Sequence, residues 1–515
     1  MSTISVDLAI IGSGSGNSLV TPFWDDKRVA IAEQGVFGGT CLNVGCIPTK
    51  MYVRPAALAR TPEEAARLGV EMRTESVDWR AIRDRIFSRI DAISEAGERY
   101  RADELDHVEL ISRRVRLDGP RALVVDGPGR PGGRAASERD ASERDAGETG
   151  AGETGSDADA RDAVARVEAG QLVIAAGSRP VMPDIPGIDL PGVHTSDTVM
   201  RVDELPARVV VIGGGYIACE FAAIFSGLGS QVVQVVRGDR LLRRLDDEIA
   251  GCFTAEAGRR WDVRLECSVR AIRVDAARAS GAGGLVAEVG RSGETGTEAI
   301  RADIVLVATG RRPNSDLVGA AEAGLDLHDD GRIAVDAYQR VLSGGEPVEG
   351  VYALGDVCSP FQLKHVANHE ARVVAHNLEH PNELRRSRHE AVPAAVFSDP
   401  ELAQVGLTEA EAAESIGVEH ITAKVQRYGD TAYGWAMEDG TGVFKVVADR
   451  RDGRILGAHA MGYQASNLIQ VVVMAMSFGV DAHTAARGQY WIHPALMEVV
   501  ENALLGLDVP RGDAL

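Results

Sequence analysis

Two cysteines stand close together in Gly38-Gly-Thr-Cys41-Leu-Asn-Val-Gly-Cys46-Ile-Pro-Thr-Lys50. The spacing suits a disulfide that closes locally on the first turn of a helix. A helix N-terminus and a nearby cation favour the thiolate, the form that attacks disulfides. One thiol of such a pair attacks a substrate and the other exchanges electrons with a cofactor. Two buried structural cysteines are the bland alternative. The remaining four cysteines, at 219, 252, 267 and 358, are scattered. They build neither a secreted disulfide framework nor the second close pair that a four-cysteine zinc site needs. Near the far end lies His493-Pro-Ala-Leu-Met-Glu498. A histidine can protonate a leaving thiolate, and a glutamate can hold its tautomer.

Such chemistry needs an electron source, and two glycine turns supply places for one. The apolar run Val6-Asp-Leu-Ala-Ile-Ile leads into Gly12-Ser-Gly14-Ser-Gly16-Asn17, and a second strand follows from Val29 to Glu33. Glycines let the backbone approach a pyrophosphate at a helix start, and Glu33 suits a ribose hydroxyl. Asn17 replaces the third glycine of the usual pattern, which predicts looser packing of helix on strand. The arrangement recurs at Val209-Val-Val-Ile-Gly213-Gly-Gly215-Tyr-Ile-Ala218. There the second strand ends in Arg237, with Arg240, Arg243 and Arg244 close behind. Guanidinium groups at that place suit the 2′-phosphate of NADPH; a solvated basic loop is the other reading. Val351-Tyr-Ala-Leu-Gly-Asp356 puts a carboxylate at a strand end, where it can accept from a polyol or ribityl chain. Two further apolar strands end at Gly177 and Gly310 and look like crossings between domains.

The length of 515 residues predicts about three domains. From 391 onward strand patterns at 392–397 and 442–447, with helical patterns at 408–416, 465–478 and 495–505, read as an α+β domain. Residues 128–163 carry the tandem copies Ala-Ser-Glu-Arg-Asp and Ala-Gly-Glu-Thr-Gly and almost no large apolar side chains. That composition predicts a disordered expansion in a hairpin turn. A net charge of −21 argues against nonspecific nucleic-acid binding. With no long apolar run and no basic leader, a cytoplasmic protein with no membrane partner is expected.

In order and spacing, over almost the whole chain outside 128–163, these motifs resemble the pyridine nucleotide-disulfide oxidoreductases of the glutathione reductase and lipoamide dehydrogenase type. The resemblance implies an α/β fold with two Rossmann-like dinucleotide-binding domains, for FAD and NADPH, and a C-terminal α+β dimerisation domain. The boundaries it implies are 1–204 for FAD, 205–313 for NADPH, 314–390 for a central segment completing the FAD domain, and 391–515 for the interface of a homodimer. Carried across by position, Cys46 is the thiol beside the flavin and Cys41 the interchange thiol. His493 and Glu498 then act across the interface on the partner subunit's Cys41. Lys50 lies near the flavin with Glu220 as its carboxylate partner, Tyr216 gates the nicotinamide pocket, and Asp356 takes the ribityl chain. Arg237 and Arg243 match the 2′-phosphate ligands, although Gly238 stands where some members have histidine. Gly12, Gly14, Glu33, Gly39, Thr40, Gly177, Gly213, Gly215 and Gly310 complete the implied cofactor-binding set. Stretches at 363–371, 428–439 and 488–496 point to a branch that reduces a low-molecular-weight disulfide.

The rivals are specific. A dihydrolipoamide dehydrogenase should end its second nucleotide strand in Glu, where Arg237 stands. A mercuric reductase should add a cysteine pair near the end, and no cysteine follows Cys358. A flavoprotein scaffold or repressor needs none of Cys41, Cys46 and His493, and all three are here.

Overall fold

The computed structural model describes residues 2–126, 164–275 and 284–511. The expected disorder of 128–163 lies outside the described residues. The chain forms two compact units, one from Met1–Asn43, Arg89–Arg179 and Arg312–Arg388, the other from Val44–Ser88, Pro180–Arg311 and His389–Leu515.

The first unit is built on an eight-stranded sheet. Its spine runs Arg340–Ser343, Glu346–Ala353, Val164–Ile174, Ser2–Ile11, Val29–Ala32, Val108–Ile111. The central strands pair in parallel, with Ile10 opposite both Ile31 and Val173. A parallel sheet is covered on both faces, which is why its strands are continuously apolar. Leu8 and Ile10 pack with Val374 and Leu378 of the helix Lys364–Glu379. Ala9 and Ile11 turn the other way, onto Leu172, Val351 and Ala353. The strands Ala122–Asp126 and Val164–Ile174, which flank the repeat-bearing insertion, are antiparallel neighbours with Leu123 opposite Val167.

One expectation fails here. The first glycine turn leads not into a long helix but into two short 3-10 turns, Gly16–Leu19 and Pro22–Trp24. Val20, Thr21 and Pro22 follow the first turn at once, and β-branched residues before a proline do not continue a helix.

The second unit contains the parallel sheet Asp262–Arg264, Gln231–Val235, Arg208–Ile212, Ile304–Val307, Val193–Thr195, with the apolar helix Tyr216–Gly227 following its central strand. Beside it lies a three-stranded antiparallel sheet, Cys267–Val274, Leu285–Arg291 and Glu298–Ala302. A five-stranded antiparallel sheet runs in the order Pro393–Val396, Leu402–Gly406, Ile455–Met461, Val443–Asp449, Ile421–Arg427. The helices Ala465–Phe478 and Glu498–Leu505 close its core around Phe444, Val446, Leu468, Val472, Val499 and Val500. The helix Glu409–Ile416 begins at a capping box, Thr408 with Glu411. No described helix is long and apolar enough to cross a membrane.

Candidate active site

The first glycine turn is shaped by close backbone approach. Gly12 has φ +99°, and a Cβ there would lie 2.3 Å from the Ala175 carbonyl oxygen. A Cβ on Gly39, at φ +72°, would lie 2.7 Å from the Cα of Gly14. Only glycine allows these contacts. Looser packing at Asn17 is not observed. Gly16 takes over the missing glycine's role, because a Cβ there would sit 2.8 Å from Ile10 Cγ2. The Asn17 side chain instead accepts a hydrogen bond from Arg101 Nε at 2.8 Å. Glu33 accepts from the Ser13 amide and hydroxyl through Oε2 and from the Gly35 amide through Oε1. Asp356 accepts from the Ser178 hydroxyl at 2.6 Å. Both carboxylates already take hydroxyl donors, the donor type a ribose or ribityl chain presents. A glycine cradle that a Cβ would fill and two such carboxylates fit FAD.

The cysteine motif departs from expectation. Cys41 lies within the short helix Gly39–Asn43, whereas Cys46 opens a separate helix, Cys46–Arg67. Gly45 between them leaves helical geometry at φ −130°, ψ −124°. Asn43 ends the first helix by folding its amide back onto the Phe37 and Gly39 carbonyls, at 2.9 and 3.1 Å. Side-chain bonds of this kind compete with helix continuation. Cys46 therefore occupies the first position of a 22-residue helix, where the dipole favours negative charge. Thr40 shares the short helix with Cys41.

One turn along the longer helix, Lys50 Nζ lies 2.8 Å from Glu220 Oε1. The same oxygen accepts the Phe397 amide at 2.9 Å, and the Phe397 ring centroid lies 3.6 Å from the ammonium. The sequence marked Lys50 and Glu220 but read Phe397 only as the end of a strand. An aromatic residue leaving a strand was the available signal.

Tyr216 opens the helix after the second glycine turn. Its hydroxyl accepts from Gln404 Nε2 at 3.3 Å, and burial pushes its pKa up to about 12. At Gly213, φ +134°, a Cβ would lie 2.2 Å from the Ala308 carbonyl oxygen; around Gly215 the space is open. Sequence reading also passed over Gln234, wholly buried within a nucleotide-sheet strand. Its amide donates to the Gly213 carbonyl at 2.9 Å and accepts from Trp261 Nε1 at 2.8 Å, which holds the turn from behind. Arg237, Arg243 and Arg244 are exposed and make no ion pair among the described residues, while Arg240 is committed to Asp247 at 2.6 Å. Unpaired guanidinium groups beside a glycine turn fit the phosphates of a pyridine nucleotide. Gly177 and Gly310 both adopt positive φ at strand ends.

His493 Nδ1 lies 2.6 Å from Oε1 of Glu498, the first residue of the last helix. The imidazole is 70% exposed, so its second nitrogen is available to a group outside this chain.

The family model described as pyridine nucleotide-disulphide oxidoreductase matches residues 6–371, and that family's dimerisation domain matches 392–504. The chain is 48% identical to mycothione reductase of Mycobacterium tuberculosis, across 97% of this chain and 99% of that enzyme. It is 32% identical to glutathione reductase of Burkholderia cepacia, across 92% and 93%. A Cu(II) complex of the HOCl-induced flavoprotein disulfide reductase RclA from Escherichia coli superposes with TM-score 0.77 at 25% identity, over 98% of this chain and 99% of that one. The chain therefore belongs to the pyridine nucleotide-disulfide oxidoreductases, enzymes that join FAD and NAD(P)H to the redox chemistry of a disulfide.

Proposed function

We propose that this enzyme uses NADPH to reduce mycothione, the disulfide of mycothiol, in the cytoplasm. Its relation along nearly the full length to the mycobacterial mycothione reductase carries the substrate assignment. The unpaired arginines favour NADPH over NADH. The domain reading assigns 1–204 and 314–390 to FAD, 205–313 to NADPH and 391–515 to the dimer interface; strands from 340–353 share one sheet with Ser2–Ile11, which supports it, while Val193–Thr195 pairs into the nucleotide sheet beside Ile304–Val307.

The Gly12–Gly16 turn, Glu33, Gly39 and Asp356 would hold FAD, which when bound would supply the two electrons needed to open the Cys41–Cys46 disulfide to two thiols. The chain's own groups do the rest. The Cys41 thiolate attacks one sulfur of mycothione, forming a mixed disulfide and releasing one mycothiol thiolate. His493 of the partner subunit, its tautomer fixed by the partner's Glu498, gives that thiolate a proton. The Cys46 thiolate then attacks the Cys41 sulfur, breaking the mixed disulfide and forming the Cys41–Cys46 bond; the second mycothiol leaves as a thiolate and takes up the proton that the Cys46 thiol gave up. Lys50, charge-paired with Glu220, keeps a cation in the flavin's surroundings. Tyr216 covers the nicotinamide position until the nucleotide displaces it.

The test is NADPH consumption with mycothione, oxidised glutathione and lipoamide in parallel, repeated with NADH. The proposal expects preference for mycothione with NADPH. Preference for lipoamide with the nucleotide lacking a 2′-phosphate overturns the substrate and nucleotide assignments. Cys41→Ser should lose disulfide reduction yet keep flavin reduction by NADPH; a variant with full reductase turnover sinks the thiol assignment.

A further inference from the structure

Two cations lean on the first glycine turn, and neither has a carboxylate partner among the described residues. Lys364, the first residue of its helix, comes from far along the chain and donates to the Ser15 hydroxyl at 2.8 Å. Arg101 donates from Nε to the Asn17 side chain at 2.8 Å and from a terminal nitrogen to the Asn17 carbonyl at 3.1 Å. Both side chains are half-buried, and burial draws the Arg101 pKa downward. Cations withdrawn from water without a counter-ion are costly unless an anion completes the site. The turn they grip is where glycines open the backbone to a pyrophosphate.

We propose that Lys364 and Arg101 form a cationic clasp that neutralises the diphosphate of FAD, with Asn17 as the anchor that aims the arginine. The proposal rests on the FAD-binding reading of this turn and adds two charged ligands to it. It also gives the glycine-to-asparagine departure a purpose. Gly16 already supplies the close approach, which leaves position 17 free to hold Arg101. The Asn17 bonds and the Ser15 bond use only part of each cation's donor capacity, so further N–H groups remain for phosphate oxygens.

The experiment follows release of FAD from purified holoenzyme by flavin fluorescence as KCl is raised, in wild type, Lys364→Met, Arg101→Met and the double variant. Lys364→Arg and Arg101→Lys serve as conservative rescues. Loss of one charge-assisted contact should speed release about tenfold at low salt. The curves should converge at high salt, because screening removes the same attraction from wild type. The rescues should release near the wild-type rate. Unchanged release overturns the clasp. So does faster release with the wild-type salt dependence, which marks a structural defect rather than a lost charge. A wild-type chain that carries no FAD refutes the flavoprotein reading itself, and the clasp with it.

Discussion

Nδ1 of His493 and Oε1 of Glu498 lie 2.6 Å apart at the start of the last helix. That bond places the Nδ1 proton toward the carboxylate and leaves Nε2 on the exposed side of the ring. Glu498→Gln keeps the shape and removes the charge that stabilises an imidazolium. Disulfide turnover should fall on the order of tenfold to a hundredfold, and His493→Ala should cost about a hundredfold or more. NADPH oxidation by a one-electron dye, which bypasses the thiols, should be unchanged in both. If dye reduction falls in step with disulfide turnover, the pair is not a thiol acid–base couple.

The exposed arginines behind the second glycine turn predict a nucleotide switch. Arg237→Glu places a like charge where the 2′-phosphate would sit. KM for NADPH should rise about tenfold or more, with little change for NADH, since each guanidinium–phosphate contact is charge-assisted. Steady-state kinetics with both nucleotides decide it. Equal losses for both would return these arginines to the status of a solvated loop.

Much of this was legible in the sequence because it is local. Continuous apolar runs ending in glycine give buried parallel strands, and Gly12 and Gly213 stand where a Cβ would strike a neighbouring strand's carbonyl. The unpaired arginines after Val235 and the His493–Glu498 spacing are equally short-range. What escaped depends on partners far away in sequence or on one side chain's choice of bond. Cys41 and Cys46 fall on separate helices because the Asn43 amide folds back onto Phe37 and Gly39. Phe397 meets Lys50 and Glu220 only after three distant segments fold together. Gln234 reads as an ordinary strand residue until its bond to the Gly213 carbonyl is seen.

Phe397 gives a third prediction. Its ring faces the Lys50 ammonium while its amide binds the same Glu220 oxygen, so it fixes both members of the ion pair. A partly exposed cation–π contact is worth about 0.5–1 kcal/mol. Phe397→Leu should therefore slow flavin reduction by NADPH roughly two- to fivefold, and Phe397→Tyr should restore it. Stopped-flow bleaching of the flavin measures this step apart from disulfide turnover. A leucine variant with the wild-type bleaching rate removes the ring from any role at Lys50.

The last prediction concerns acid. Asp246 is buried, caps the helix Asp247–Arg260 through the Glu248 amide, and accepts from Lys445 Nζ at 2.9 Å. Lys445 is buried too and also reaches Glu409 at 2.7 Å. Burial alone would raise the Asp246 pKa, but the Lys445 hydrogen bond and nearby positive charge outweigh it and hold the carboxyl below its ordinary value. A carboxylate depressed in the folded state contributes stability above its unfolded pKa and loses it as pH falls through the folded value. The loss should therefore set in below about pH 4. Asp246→Asn removes the titrating group and strands Lys445 against the more exposed Glu409 and Glu248. It should cost about 3 kcal/mol at neutral pH. As pH drops from about 6 to 3, the melting temperature of wild type should fall further than that of the variant, and the gap between them should narrow. Parallel melting curves with a constant offset would show that folding does not depress the Asp246 pKa and that its bond to Lys445 adds no net charge stabilisation.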